Sequence, residues 1–578
     1  MAGHFKKAIT LLKTDSFETL RGKLGKRYRQ FRERGHYERW IMQHEARTYA
    51  DLAAAKNMAN KFELRPLISI LMPVYNSEER YLRAAIDSVK KQVYDSWELC
   101  IADDHSTDPQ VRKVLAEYSS SDRRIKVAFR DSNGHISAAS NTALTLVSGD
   151  FTALMDHDDE LSPLALYFVA KEINDYPKAS LIYSDEDKID GQGSRSAPFF
   201  KPDWNPELLL GVNYVNHLTV YRTGLLRQCG AFRIGYEGSQ DYDLLLRVSE
   251  YCSPENIRHI PRVLYHWRAI PGSVAFASDE KPYAHDRARE AISGHLERGN
   301  VDARVSRGIG QLHRIHYRIP EPNPKVSVIL LGEGQMVGME KLLEAGGHFA
   351  HEILRTSSRE TSKSVNNPAT NTVSAFQSPG FNLAARNATG SILCFLDLQI
   401  DRASDNWLKT LIGHALQSET GAVGPLIVDK RGRVMHAGYV FIPGKGIVSA
   451  FRQASVKPKG RAIRLDLAQN VSAVSANCLV IAKDKFDSVN GFDEEISGAE
   501  NAAVDLCLRL AETGLRTVWT PHSTLTLSSG PSVTESMAIF ELQSRWPSYF
   551  CRDPYYNPNL SQQEADYSLG DAPQLEKF

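Results

Sequence analysis

From Leu67 onward, short apolar runs alternate with stretches in which apolar residues recur every three or four positions. LISILM (Leu67–Met72), WELCIADD (Trp97–Asp104), IKVAF (Ile125–Phe129) and FTALM (Phe151–Met155) read as strands. Leu82, Ala85, Ile86 and Val89, and then Ala138–Leu146, mark the helices between them. Strand and helix in repetition predict an α/β fold with a mostly parallel sheet covered on both faces, and such sheets gather ligands at the carboxyl ends of their strands. After Pro320, Pro322 and Pro324 the alternation begins again. Ahead of the first strand, Phe17, Leu20, Leu24, Tyr28 and Phe31 fall on one helical face among basic residues. A packed amphipathic helix and a helix lying on an anionic membrane surface both fit that pattern.

The chain has 578 residues, of which 42% are hydrophobic and 24% charged, enough to bury several cores and too apolar for disorder. Lys plus Arg and Asp plus Glu both total 69, so no global charge calls for a polyanion, and nucleic acid is not expected as a partner. The basic excess is local, eleven basic against four acidic residues in positions 1–40. Seven cysteines without CxxC spacing point to reduced thiols rather than a zinc or disulfide framework. With no apolar run long enough to span a bilayer, the expected location is the cytoplasm, with peripheral contact at the inner membrane's cytoplasmic face as an option.

Candidate chemistry sits at the strand ends. The first run closes on Pro73-Val74-Tyr75-Asn76, the second on Asp103-Asp104, the fourth on Asp156-His157-Asp158-Asp159. Carboxylates this close repel one another, and a hard divalent cation, Mn²⁺ or Mg²⁺, completed by substrate phosphate oxygens, would relieve them. An aromatic beside a carboxylate pair suits a nucleoside. Asp241, opening the apolar helix Tyr242–Arg247, can act as a catalytic base or as a helix cap, and Asp243 can cap as well.

These pieces resemble the inverting family 2 glycosyltransferases with the GT-A fold. The resemblance is carried by ISILMPVYNSEE, ELCIADDHSTD, NGHISAASNTAL, FTALMDHDDELSP, LIYSDEDKID, GSQDYDLLLR and VLYHWR, from about Leu67 to Ala275. It implies that Pro73, Tyr75 and Asp104 line the nucleotide base, with Asp103 and Asn141 adjacent. Asp156 and Asp158 become the metal and diphosphate motif, with Asp159 a further ligand, and Asp241 the base that deprotonates an acceptor hydroxyl. The family's usual Glu-Asp pair is Gln240-Asp241 here. His266 is expected on the metal, and Asp185, Gln240, Trp267 and Arg268 on the donor or acceptor. The implied partners are a nucleotide-diphospho-sugar and a glycan or lipid-linked glycan, in the setting of O-antigen assembly.

The second repeat aligns without gaps at two places. Gly149–Asp156 meets Gly390–Asp397, which sets Asp158 opposite Gln399 and Asp159 opposite Ile400. Asp243–Arg247 meets Asp505–Arg509, which sets Asp241 opposite Ala503. The expected plan is a basic helical region (1–63), a catalytic GT-A domain (64–305), a linker (306–323), a degenerate GT-A-like domain without transferase activity (324–560) and a tail (561–578). The rival reading is a nonenzymatic glycan-binding or scaffold subunit of a polysaccharide assembly complex.

Overall fold

The structure is a computed structural model that describes residues 34–45, 48–270, 282–332, 338–355, 378–456, 463–528 and 539–571. The basic apolar stripe from Phe17 to Phe31 lies outside the described residues. The first half is built on nine strands: β1 (Ile68–Val74), β2 (Trp97–Asp103), β3 (Ile125–Phe129), β4 (Phe151–Leu154), β5 (Glu160–Leu161), β6 (Leu181–Ile189), β7 (Arg195–Phe199), β8 (Thr219–Arg222) and β9 (Ile257–Arg268). Their order is β3-β2-β1-β4-β8-β6-β9-β5, with β7 on β6. The expectation of parallel strands holds for β3-β2-β1-β4. Beyond β4 the sheet is mixed, with β8 antiparallel to both β4 and β6. Apolar clusters fill both faces, one around Leu82, Leu99 and Tyr167, the other around Leu71, Tyr183 and Leu245.

A second nine-stranded sheet repeats this plan. Strands Val326–Leu331, His351–Arg355, Ile392–Asp397, Cys478–Ala482, Thr420–Asp429, Arg516–Leu527 and Ile400–Ala403 take the places of β1, β2, β4, β8, β6, β9 and β5, with the same relative directions. The hydrogen bonds repeat too. Asn141 exchanges two bonds with the backbone of Phe232, at 2.8 and 3.0 Å, and Asn382 does the same with Phe492, at 2.8 and 2.9 Å. Arg247 pairs with Asp243 and donates to the carbonyls of Cys229 and Ala231, while Arg509 pairs with Asp505 and donates to those of Val489 and Gly491. Gly149 and Gly390 each donate to a serine hydroxyl, Ser69 and Ser327, and a Cβ at either glycine would meet backbone at 2.4 or 2.7 Å. Both registers read from the sequence are therefore physically realised.

The halves are joined by buried polar contacts. Asn205 and Asn470 exchange side-chain-to-backbone bonds of 2.9 Å. Leu467 of the second half is buried in the first half's core, where it leaves no room for a Cβ on Gly211. The segment expected as a linker from 306 instead carries strand His313–Tyr317, hairpinned onto Ala303–Arg307 across the expected boundary. The helix over 34–44 buries Tyr37, Trp40 and Ile41 against Phe200, so this described part of the N-terminal region packs on the protein.

Removing one member of a buried ion pair strands its partner. Asp243→Ala and Asp505→Ala should each cost about 3 kcal/mol, seen as a lowered urea midpoint. Loss at one site without loss at the other would break the structural equivalence of the halves.

Candidate active site

Three elements of the first sheet converge at its carboxyl edge. Asp156 and Asp159 follow β4, and His217 ends the loop that leads into β8. One ligand atom from each lies within 4.8 Å of the others. Tyr265, fully buried on β9, organises the group: its hydroxyl donates to Asp159 Oδ2 at 2.5 Å and accepts from the Asp156 N–H at 3.1 Å, and its ring stacks on His217 at 4.5 Å. Burial and the charges of Asp158 and Asp156 push the Asp159 carboxyl well up. Burial and Lys201 pull His217 down to about 3, leaving its imidazole neutral with a lone pair to give. Two carboxylates under mutual repulsion beside a neutral imidazole fit a divalent cation.

Asp241 stands at the second position of the helix Gln240–Ser249, so it is not the cap; Ser239 occupies that place. Asp243, fully buried, is consumed by Arg233 and Arg247. Asp241 keeps a carboxylate directed by a single side-chain bond, from Asn213 Nδ2 at 2.9 Å. Burial raises its affinity for a proton, partly offset by the N–H groups of Tyr242 and Asp241 at the helix start and by Asn213. Asn213 and His217 belong to one loop, so a single turn of chain addresses both Asp241 and the acidic cluster.

Tyr75, 44% exposed, projects at the end of β1 after the buried Pro73, beside the end of β2. Asp104 is buried, paired with Arg130 at 2.8 Å and accepting from the Gly134 N–H at 3.0 Å, while Asp103 accepts from the Ser106 N–H at 3.2 Å.

The family model described as Glycosyl transferase family 2 matches residues 69–230, the stretch that supplies β1 to β8, the acidic cluster and Asn213. That stretch is thus similar to a family 2 glycosyl transferase domain. An uncharacterized protein, y4gI, of Sinorhizobium fredii is 37% identical over 89% of this chain and 59% of its own length. The O-antigen biosynthesis protein RfbC of Myxococcus xanthus is 34% identical over 91% of this chain and 42% of its own. The chain thus spans about half the length of these relatives. Among solved structures, S. aureus TarS with UDP-GlcNAc aligns with a TM-score of 0.33 and 20% identity, over 40% of this chain and 66% of that one.

Within the first half, several expected contacts prove to be braces. Asn141, expected beside the nucleotide base, has both ends of its amide on the backbone of Phe232, as Asn382 holds Phe492 in the other half. Among the described residues His266 is not in the acidic cluster, and its Nδ1 lies 2.7 Å from Asp187. Asp158 also stands outside that cluster. Arg268, 3% exposed, pairs with Glu160, reaches the carbonyls of Asp158 and Asp190, and gives its own N–H to Asp159, so it shapes the acidic loop rather than meeting substrate. Asp185 is fully buried and taken by His259, the Lys201 N–H and Asn557. Gln240 turns back to accept from the Gly238 N–H at 2.8 Å. Trp267 remains near the cluster, edge-on to His217 at 5.7 Å. His217, Asn213 and Tyr265 were not assigned from sequence; only their loop and strand positions beside the acids reveal them.

The raised folded-state value of Asp241 means the native chain holds its proton more tightly than the unfolded one. Stability therefore falls as pH rises above the ordinary carboxyl value of about 3.9 toward the folded value. Asp241→Asn removes this penalty. The variant should melt no lower than wild type near neutral pH, with any advantage gone near about pH 3, where both forms are uncharged. A clearly lower neutral melting temperature would contradict the assignment.

Proposed function

We propose that the first half, about residues 64–305, is a metal-dependent inverting glycosyltransferase that moves a sugar from a nucleotide-diphosphate donor to a hydroxyl of a growing surface glycan. The observation that carries this reading is the shared loop of Asn213 and His217, which links a base-like carboxylate to an acidic cluster at one sheet edge. Asp241, oriented by Asn213, takes the acceptor proton as that oxygen bonds to the anomeric carbon and the bond to the diphosphate breaks, inverting configuration. Asp156, Asp159 and His217 would hold Mn²⁺ or Mg²⁺, which supplies positive charge to the departing diphosphate. Tyr75 offers the base an open ring face. The O-antigen role of the Myxococcus relative supports a polysaccharide acceptor, lipid-linked in this reading.

We assign no transferase activity to the second half, about 324–560. Because Phe151 pairs with Arg222 and Ile392 with Ala482, Asn213 falls opposite Ala473 and His217 opposite Asn477. Together with Ala503, Gln399 and Ile400, this leaves Asn213, His217, Asp241, Asp158 and Asp159 without a chemical equivalent, while Asp156 keeps one in Asp397. Asp397 remains, and Glu500 beside it is occupied by Ser475, Tyr439 and the Ala476 N–H. Buried His436 accepts from the Ser475 N–H, and these contacts favour packing over glycan binding for the His436–Tyr439 turn.

The test is release of nucleoside diphosphate from a panel of UDP-, dTDP- and GDP-sugars with Mn²⁺ and a glycan acceptor. One donor should turn over, and Asp241→Asn should lower kcat by about 10²–10⁴-fold with donor binding kept. Turnover undiminished in Asp241→Asn would remove the base from the scheme.

A further inference from the structure

Resting on that reading, the strongest remaining feature is a buried clamp behind the 212–218 loop. Lys201 is fully buried just beyond β7, and its Nζ donates to Glu186 Oε2 at 2.9 Å, to the Val215 carbonyl at 2.7 Å and to the His217 carbonyl. The same Glu186 oxygen accepts the His217 N–H at 3.2 Å, so the peptide groups on both sides of His217 are gripped by one ion pair. Lys201 is itself gripped. Its N–H donates to Asp185 at 2.9 Å, and its carbonyl accepts from Asn557 Nδ2 at 2.8 Å, while the same amide reaches Asp185 Oδ2 at 2.9 Å. Asn557 lies 356 residues away, in the segment after the second sheet.

The second half shows what the fold does without this clamp. Leu181 pairs with Tyr221 and Ala422 with Ile481, which sets Asp185, Glu186 and Asp187 opposite Leu426, Ile427 and Val428. Glu186 pairs with Phe199 and Ile427 with His436, which sets Lys201 opposite Gly438. The scaffold bonds of Asn141, Asp243 and Ser69 all have counterparts, whereas the clamp is missing from the half that also lacks Asn213, His217 and Asp241. A buried ion pair adds little net stability over apolar packing, as the Ile427 position illustrates. The clamp therefore goes with the chemistry and not with the fold.

We propose that Lys201 and Glu186 are positioning residues that set His217 and Asn213 for their roles, and that Asn557 completes the clamp, making the C-terminal segment a working part of the first half's site. Partners behind a metal ligand typically govern affinity by about 10–100-fold.

The experiment compares wild type with Asn557→Ala and with the charge-neutral double variant Lys201→Met/Glu186→Gln. Tyr556→Phe serves as the structural control, since the Tyr556 hydroxyl donates to the carbonyls of Ser561 and Glu564 within the C-terminal segment, away from Lys201, Glu186 and Asp185. Amide hydrogen exchange over 212–218 and Mn²⁺ binding, read from the EPR signal of free Mn²⁺, are measured on the full chain. Both clamp variants should speed exchange in the loop and weaken Mn²⁺ binding by about tenfold or more, while Tyr556→Phe lowers melting and leaves Mn²⁺ affinity alone. Unchanged loop exchange overturns the clamp. Faster exchange with Mn²⁺ affinity within about twofold of wild type overturns the positioning role, since losing the partner that holds a metal ligand costs more than this. Failure of wild type itself to bind Mn²⁺ would strike the metal reading of the cluster, and loop exchange would still decide the clamp.

Discussion

Three consecutive carboxylates, Asp185, Glu186 and Asp187, are buried in the middle of β6, and a buried charge persists only when it is matched. Each is matched by a different part of the chain. Asp185 takes His259 and the C-terminal Asn557. Glu186 takes Lys201 and the His217 peptide. Asp187 takes Tyr37 of the N-terminal helix at 2.7 Å, Arg195 and His266, which against the cost of burial hold its carboxyl below the usual range. Arg195 continues the chain of pairs to Glu45. The helix over 34–44, the 212–218 loop and the segment carrying Asn557 thus meet on one strand.

Duplication within one chain separates support from chemistry. Groups with equivalents in both halves, such as Asn141 and Asn382, Asp243 and Asp505, or Ser69 and Ser327, brace loops and helices. Those with no equivalent are Asp241, Asn213 and His217 at the sheet's carboxyl edge and the carboxylates buried within β6. The second half keeps the architecture while apolar residues fill the places of Asp159, Asp241 and the β6 carboxylates, and the segment that follows it returns to β6 through Asn557.

Much of this was legible in the sequence where the signal is local. Period and alternation located β1 to β4 within two residues, and the carboxylates after β4 and Asp241 stood out because like charges at a strand end or a helix start demand a reason. What was not legible depends on distant partners. Asp185 looked like a sugar contact because nothing near it in sequence announces Asn557, 372 residues on. His266 and Arg268 looked available because Asp187 and Glu160 reach them only through strand pairing. His217 was passed over as one polar residue in a loop, and only the return of β8 beside β4 brings it to Asp156 and Asp159. Asn141 sat in a family motif for a structural reason, which its twin Asn382 makes plain.

The central claim is that the chain holds one nucleotide and metal site, in the first half, although both halves share a fold. Calorimetric titration of the full chain with a nucleoside diphosphate in the presence of Mn²⁺ tests it directly. The account predicts one site per chain, abolished by Asp156→Ala and indifferent to Asp397→Ala. Two sites, or a single site that survives Asp156→Ala and disappears with Asp397→Ala, would contradict it.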